Sequence, residues 1–490
     1  MNNELLNCLK SATKRHWLQY VDEGLEDTSQ AIYELTTAQI DILAREIAQH
    51  PGKITIAIAK SNPVEFIAAF LAGVVMEVNV FLTNPDWQES EWRQVLDLVV
   101  PDLFLGDKET RSPGDKWSQS RECKEFAGRS HIMIPTGGTS GKIKFAVHTW
   151  STLSASVSGF AQFFQCETIN SVCTLPLYHV SGLMQLMRSL LTRGNLILGS
   201  YKSIAARLTT ANKSNYFISL VPTQLQHLID VNPQWLTDFK TVLVGGAPPP
   251  VSLLNRAREY RIPLALTYGM TETASGIMAL KPADFLAGNN SNGRVLPHAQ
   301  VTIEHHSSNN LESVSESNRN LGLITINSTS LCWGYYPELL SPTRSLVTDD
   351  LAYQDVRGDW HLVGRASHKI ITGGENVFPG EVENAIAATN LVKDVCVIGM
   401  PDARWGEAVT AIYVPKSVKT SDLASDTNIL DLVKQQLRSQ LANYKQPKHW
   451  IKLEEIPRNS RGKINYRELQ EIALKAISSQ AQDEPNQIKQ

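Results

Sequence analysis

The sequence predicts an α/β protein. A large N-terminal α/β domain, with parallel-type sheets and a β subdomain, is followed by a small α+β C-terminal domain. Three observations carry that expectation. A chain of 490 residues exceeds what one hydrophobic core serves, so two or more domains are expected. Short β-branched runs alternate with helix-like stretches through the first half, the pattern of α/β units. After about residue 290 the texture changes, first to hairpin-like strands and then to a fresh α+β pattern.

Taken in order, "KITIAIA" reads as a strand, and Asn62-Pro63 opens a helix that carries Phe66 to Val75. The apolar run "FIAAFLAGVVM" ends at Glu77, too short for a bilayer, which needs roughly 20 residues, so a buried helix is expected. "YFISLVP" is a strand whose Pro222-Thr223 opens the helical "TQLQHLI". "KTVLVGGAPPP" and "LALTYGMTETAS" are strands that end in polar or glycine turns. Two such ends close in sequence predict a ligand crevice, because α/β sheets bind ligands beyond the carboxyl ends of their strands. "QVTIE", "LGLITINS" and "WHLVGR" read as an antiparallel region. Beyond it come the "PGEVENAIAA" helix and the strands "VCVIGM" and "AVTAIYV". These patterns set the expected domains at residues 1–364 and 365–475, with a disordered polar tail at 476–490.

Composition narrows the function classes. A formal net charge of −3 gives no electrostatic reason to expect nucleic acid or an anionic membrane surface. The opening "MNNELLNCLKSATKRHW" has no apolar h-region, and no transmembrane segment is expected. The six cysteines show no metal spacing, which suits reduced thiols in a cytoplasm.

The stretch "IMIPTGGTSGKIKFAVHTW" looks like a phosphate loop but not a Walker loop. Thr136 stands where that motif has its first Gly, and Ile143 follows Lys142 where Ser or Thr is required. Thr136, Thr139 and Ser140 offer hydroxyls, while Gly137, Gly138 and Gly141 let backbone approach an anion closely.

Five stretches in order, "PTGGTSGKIKFAVHT", "TYGMTETAS", "LVTDD", "GRASHKIITGGENVFPGEVE" and "PRNSRGKINYREL", resemble the adenylate-forming superfamily of acyl-CoA synthetases, luciferases and nonribosomal adenylation domains. The resemblance spans about Ile132 to Leu469. It implies that the glycine loop holds ATP phosphates and that Lys144 is the loop lysine. Ile143 replaces a usual Pro and Phe145 a usual Gly. Gly245, Gly246 and Ala247 would line the adenine edge, and Tyr268, within the ATP-binding run Tyr268, Gly269, Met270, would pack on adenine. Thr271 would contact phosphate and Glu272 would hold Mg²⁺, the ion that suits a carboxylate beside phosphate oxygens. Asp350 would accept from both ribose hydroxyls, with Arg365 as its partner and Asp349 in the place of a usual Gly. Lys463 would be catalytic: a mobile ammonium offsets the repulsion between an attacking carboxylate and the α-phosphate.

"LPLYHVSGLMQLMRSLL" resembles the o-succinylbenzoate–CoA ligase branch, as do "LVPTQLQHLI" and "YGMTETASGI". That likeness implies an aromatic dicarboxylate substrate, with ATP and CoA as co-substrates, serving menaquinone or phylloquinone biosynthesis. Arg188 would hold the ring carboxylate, because a guanidinium fits a carboxylate in bidentate fashion and is costly to bury unpaired. His179, Ser181 and Gly182 would complete the acyl wall. Gly373 and Gly374 would pass the pantetheine arm of CoA, and Ser367 would be the hinge of a mobile C-terminal domain. A CoA ligase for a monocarboxylate shares every ATP motif, and Arg188 discriminates against it. A phosphoryl-transfer enzyme making ADP lacks its Walker loop, and a non-catalytic nucleotide or acyl sensor has no need of Glu272, Asp350 and Lys463 together. Whether the chain forms a homo-oligomer is open at this level.

Overall fold

The computed structural model describes residues 2–22, 26–49, 54–107, 130–137, 142–208, 213–304, 321–339, 345–402, 404–416, 429–458 and 463–482. Among these residues the chain forms four sheets with helices packed between and around them.

The largest sheet has nine strands. Its middle is parallel, in the order Leu264–Met270, Thr241–Val244, Tyr216–Leu220, Asn170–Cys173, Leu196–Leu198 and Leu18–Tyr20. The inner strands Thr241–Val244 and Leu196–Leu198 are buried throughout. Ser275–Ala279 then turns back antiparallel to Leu264–Met270, with a register shift at Tyr268/Gly269. A seven-stranded sheet combines parallel strands at Leu103–Gly106, Thr55–Ala59, Asn79–Leu82 and Ile132–Gly137 with an antiparallel return at Ile143–His148.

Local chemistry accounts for the expected helix starts. Asn62 Oδ1 accepts the Val64 amide at 2.8 Å, and Pro63 occupies the first helical position, where a missing N–H costs nothing. The helix Pro63–Val75 buries Val64 and every residue from Phe66 onward, so its all-round apolarity marks a core helix. Among the described residues no helix is long and apolar enough to cross a membrane.

A four-stranded antiparallel sheet follows, ordered Ala299–Glu304, Gly322–Ser328, Ser345–Gln354, Trp360–Arg365. Past the short turn Ala366–His368, a five-stranded sheet is built from Ile370–Thr372, Glu375–Val377, Val392–Asp402, Gly406–Pro415 and His449–Lys452. Its two faces carry separate apolar clusters, one under the helices Pro379–Ala388 and Ile429–Gln440, the other under Tyr466–Gln482.

Two expected limits shift. Arg365, placed at the start of the C-terminal domain, instead ends a strand of the four-stranded sheet, because it pairs with Asp350 across the ladder. The tail expected to be disordered from residue 476 is helical to Gln482, since Ala476 and Ile477 continue the apolar face that packs on the five-stranded sheet. Residues 483–490 lie outside the described ones.

Candidate functional site

Parallel pairing brings the predicted nucleotide residues together. Val244 lies opposite Leu266, so Gly245 and Gly246 leave one strand beside the point where Tyr268 leaves the next. A Cβ on Gly245 would stand 2.5 Å from Thr267 Oγ1, and Gly246 turns with φ 84°, so both positions require glycine. Ala247 follows, half-buried. The Tyr268 hydroxyl donates to Asp350 Oδ2 at 2.6 Å, and Arg365 Nε stands 3.4 Å from Asp350 Oδ1. Asp350 and Arg365 are direct cross-strand partners, which fixes that pair by register. Burial, then the Asp350 charge, pushes the Tyr268 hydroxyl well above its usual range, so it stays a donor at all ordinary pH. Gly269 is demanded by packing, for a Cβ there would meet the Ser275 carbonyl at 2.0 Å. Met270 ends the strand, and its amide donates to Thr273 Oγ1.

Thr271 and Glu272 occupy the single 3₁₀ turn Thr271–Thr273. Glu272 is buried, and its Oε1 accepts from the Tyr335 hydroxyl at 2.7 Å. The Thr271 carbonyl accepts from His148 Nε2 at 2.8 Å, while His148 Nδ1 lies 3.0 Å from Thr152 Oγ1. The carbonyl partner assigns the proton to Nε2, and burial pushes this imidazole down to about 4, so it is neutral. Lys144 sits opposite Thr136 on the hairpin that carries the glycine loop, with its ammonium 5.1 Å from the centre of the Tyr335 ring. Thr136 and Gly137 end the strand Ile132–Gly137, whereas Gly138, Thr139, Ser140 and Gly141 lie outside the described residues.

Of the predicted acyl residues, Ser181, Gly182 and Arg188 lie on the helix Val180–Leu191, where Leu183, Leu186 and Met187 are fully buried. His179 precedes the helix, buried, with its ring 4.5 Å from that of Tyr178. The Ser181 carbonyl accepts from Gln185 Nε2. Gly182 has a packing reason to be glycine, because a Cβ would meet the Pro176 carbonyl at 2.2 Å. Arg188 is 5% exposed, which settles its side of the helix: it faces inward. Its Nη2 donates to Ser275 Oγ at 3.2 Å and its guanidinium lies 4.0 Å over the Phe160 ring. Its Nε has no hydrogen-bond partner, and no acidic residue pairs with it among the described residues. Burial pushes the guanidinium down to about 10, which leaves it charged at neutral pH. Ser275 itself is held at φ 86°, a conformation unusual for a residue with a side chain.

The remaining predicted residues belong to the C-terminal portion. Gly373 and Gly374, at φ 59° and 86°, form the two-residue turn between Ile370–Thr372 and Glu375–Val377. Positive φ at both positions is what such a hairpin requires, so turn geometry alone accounts for the glycine pair. Ser367 Oγ and the Ser367 amide both donate to the Asp349 carboxylate. Lys463 is exposed, one residue before Ile464, which closes an antiparallel bridge with Arg458. Arg458 Nη2 is held by both Asp394 oxygens at 3.0 and 2.8 Å, anchoring one side of that bridge.

Sequence reasoning missed Tyr335, His148, Phe160, Ser275 and His298. Tyr335 lies 63 positions from the carboxylate it serves, and no spacing rule links them. His148 stood within the quoted glycine-loop stretch, but a histidine in a β run gives no sign of its partners.

Residues 33–336 match the family model described as AMP-binding enzyme, and residues 381–463 match the AMP-binding enzyme C-terminal domain. The 2-succinylbenzoate–CoA ligase of Listeria monocytogenes is 32% identical over 474 residues, covering 92% of this chain and 94% of that one. In fold the chain resembles the o-succinylbenzoate CoA synthetase of Bacillus subtilis in complex with the acyl-adenylate intermediate, with a TM-score of 0.77 at 24% identity over 95% of this chain and 98% of that one. The same B. subtilis protein in complex with ATP and magnesium ion gives a TM-score of 0.74 at 24% identity, covering 94% and 99%.

Proposed function

Because the chain belongs to the AMP-binding enzyme family, we infer that it is the AMP-forming ligase that joins o-succinylbenzoate to CoA. The observation that carries the substrate is Arg188: a buried cation in an apolar wall, with one donor left over and no acidic partner among the described residues. A fatty or simple aryl acid would leave that charge uncompensated, whereas a ring carboxylate completes it.

In the first step an oxygen of the succinyl carboxylate attacks the α-phosphorus of ATP. The bond to the bridging oxygen breaks, pyrophosphate leaves with its electron pair, and an acyl-adenylate remains. In the second step the CoA thiol attacks the acyl carbon, the carbon–oxygen bond to phosphate breaks, AMP departs, and the thiol proton passes to solvent. Neither step needs an enzyme nucleophile. Asp350, pre-aligned by Tyr268 and Arg365, would take the ribose hydroxyls. Lys463 would supply the charge that lets two anions meet in the first step.

The donors at Thr271 and Glu272 are all oxygen, which fits Mg²⁺. Among the described residues no three His, Cys, Asp or Glu side chains cluster as a metal cage, so phosphate and water would complete the shell. Held there by Glu272 and Thr271, Mg²⁺ would supply charge neutralisation to the phosphates. Gly373 and Gly374 would admit the pantetheine arm once Ser367 lets the C-terminal domain turn, and the adenylate needs such closure against water. We divide the chain into a nucleotide- and acyl-binding domain up to the turn at Ala366–His368 and a mobile domain beyond it. We place the reaction in the cytoplasm, where the free thiols of Cys8, Cys166, Cys173, Cys332 and Cys396 stay reduced. The product would feed menaquinone or phylloquinone biosynthesis.

A pyrophosphate-release assay across a panel of carboxylates, with and without CoA, tests this reading. We expect o-succinylbenzoate to give the highest kcat/KM, with AMP as the nucleotide product. ADP formation, or equal use of monocarboxylates, would overturn it.

A further inference from the structure

We propose that His298 is a specificity-determining residue that, with Arg188 and Ser275, recognises the ring carboxylate of the acid by donating a hydrogen bond from its Nε2. The inference rests on the dicarboxylate reading above and adds a residue to it.

His298 lies between the strands Arg294–Val295 and Ala299–Glu304. Its carbonyl accepts from Ser328 Oγ at 2.9 Å and from the Thr329 amide at 3.3 Å, so its backbone is pinned. The ring then lies on the helix Trp150–Phe164 at Gly159, where a Cβ would stand 1.8 Å from His298 Nδ1. Only glycine leaves room for the ring in that position. The next residue, Phe160, carries the Arg188 guanidinium on its face. One turn of helix therefore seats both the imidazole and the guanidinium.

Neither ring nitrogen has a hydrogen-bond partner, although both are buried. Buried imidazoles are ordinarily satisfied, and an orphaned pair needs an explanation. Nδ1 is packed against Gly159, which leaves Nε2 as the nitrogen able to meet a ligand. Burial, then the Arg188 charge, pushes the imidazole down to about 4, so it is a neutral donor at working pH and does not repel the guanidinium. Arg188 Nε is likewise orphaned, and Ser275 Oγ, which accepts from Arg188 Nη2, keeps its own proton to donate. Arg188, bonded to Ser275, and His298, whose imidazole feels the Arg188 charge, thus bring three donors into one neighbourhood. Such a set rejects an acid without the ring carboxylate, because that acid would leave the donors unpaired.

The test compares o-succinylbenzoate with 4-oxo-4-phenylbutanoate, which keeps the succinyl chain and lacks the ring carboxylate. Initial rates of pyrophosphate release are read at saturating ATP. His298→Ala should raise KM for o-succinylbenzoate about tenfold, the value of one hydrogen bond to a charged group, with kcat within about twofold. KM for the analogue and for ATP should not move, and His298→Asn, which can still donate, should recover part of the loss. Gly159→Ala, whose methyl displaces the ring without removing it, should produce the same selective loss when assayed well below the variant's own melting transition, which overpacking will lower somewhat. Equal rises for both acids, or no rise for the dicarboxylate in either variant, would overturn the assignment. If the parent enzyme does not use o-succinylbenzoate at all, the functional reading falls, and this inference with it. A parent that does use it, beside variants without selectivity, sinks His298 alone.

Discussion

The residues proposed for the nucleotide and those proposed for the acid are built on opposite principles. At the nucleotide end the polar groups are already held by protein: Asp350 by Tyr268 and Arg365, Glu272 by Tyr335, and His148 through both ring nitrogens. At the acyl end Arg188 Nε and both nitrogens of His298 are buried without partners. The difference teaches where selectivity resides. A ligand common to the whole family meets a pre-aligned frame, which lowers the cost of ordering it. A ligand particular to this enzyme must satisfy donors that the protein leaves open, and an acid that cannot do so is penalised.

The largest effect should come from the lysine we propose acts on the reacting groups themselves. Lys463→Ala should lower adenylate formation by about 10³-fold, the scale of one lost transition-state contact to developing charge. It should spare thioester formation from pre-made acyl-adenylate. Half-reaction rates decide this, and the comparison predicts the same loss for every acid tested.

Next comes the frame itself. The folded-state pKa of His148 is depressed from 6.5 to about 4 by burial, so the unfolded chain binds a proton that the folded chain refuses. Stability is therefore complete above about pH 6.5 and is lost as pH falls towards 4, by about 3 kcal/mol from this group. Denaturant unfolding across that window measures it. His148→Gln should flatten the dependence in part, since burial depresses His298 to the same value.

Arg188→Ala should cut kcat/KM for o-succinylbenzoate about 100-fold, as expected when an anion loses its charged partner. The analogue without the ring carboxylate should lose little. Equal losses would erase the distinction between the two ends. The smallest expected effect sharpens it from the other side. Tyr268→Phe removes one of the two groups that align Asp350, and KM for ATP should rise about fivefold with every acid. A change in acid preference in this variant would show that the ends are coupled.

Much of this was legible in the chain. Asn62-Pro63 and Val221-Pro222 mark helix starts by local stereochemistry, and the parallel strands announce themselves as apolar runs. The residues proposed for the nucleotide could be named because each lies in a contiguous motif. Tyr335 and His298 were not, since their partners come from strands and helices far along the chain. The disordered tail was set to begin too early because Ala476 and Ile477 sit among polar residues, and the face they complete exists only against the sheet. Asp349, read as standing in the place of a usual Gly, and Ser367, read as a hinge, lie 18 positions apart, and the structure shows that they bond each other.

By itself the sequence determined the fold class and the family, because each of these is carried by local pattern and chain order. Tertiary structure alone decided that Arg188 faces inward and that its surroundings leave donors unsatisfied. Side-chain direction and the pairing of buried polar atoms depend on every element packed around them, and no local stretch of residues contains that information.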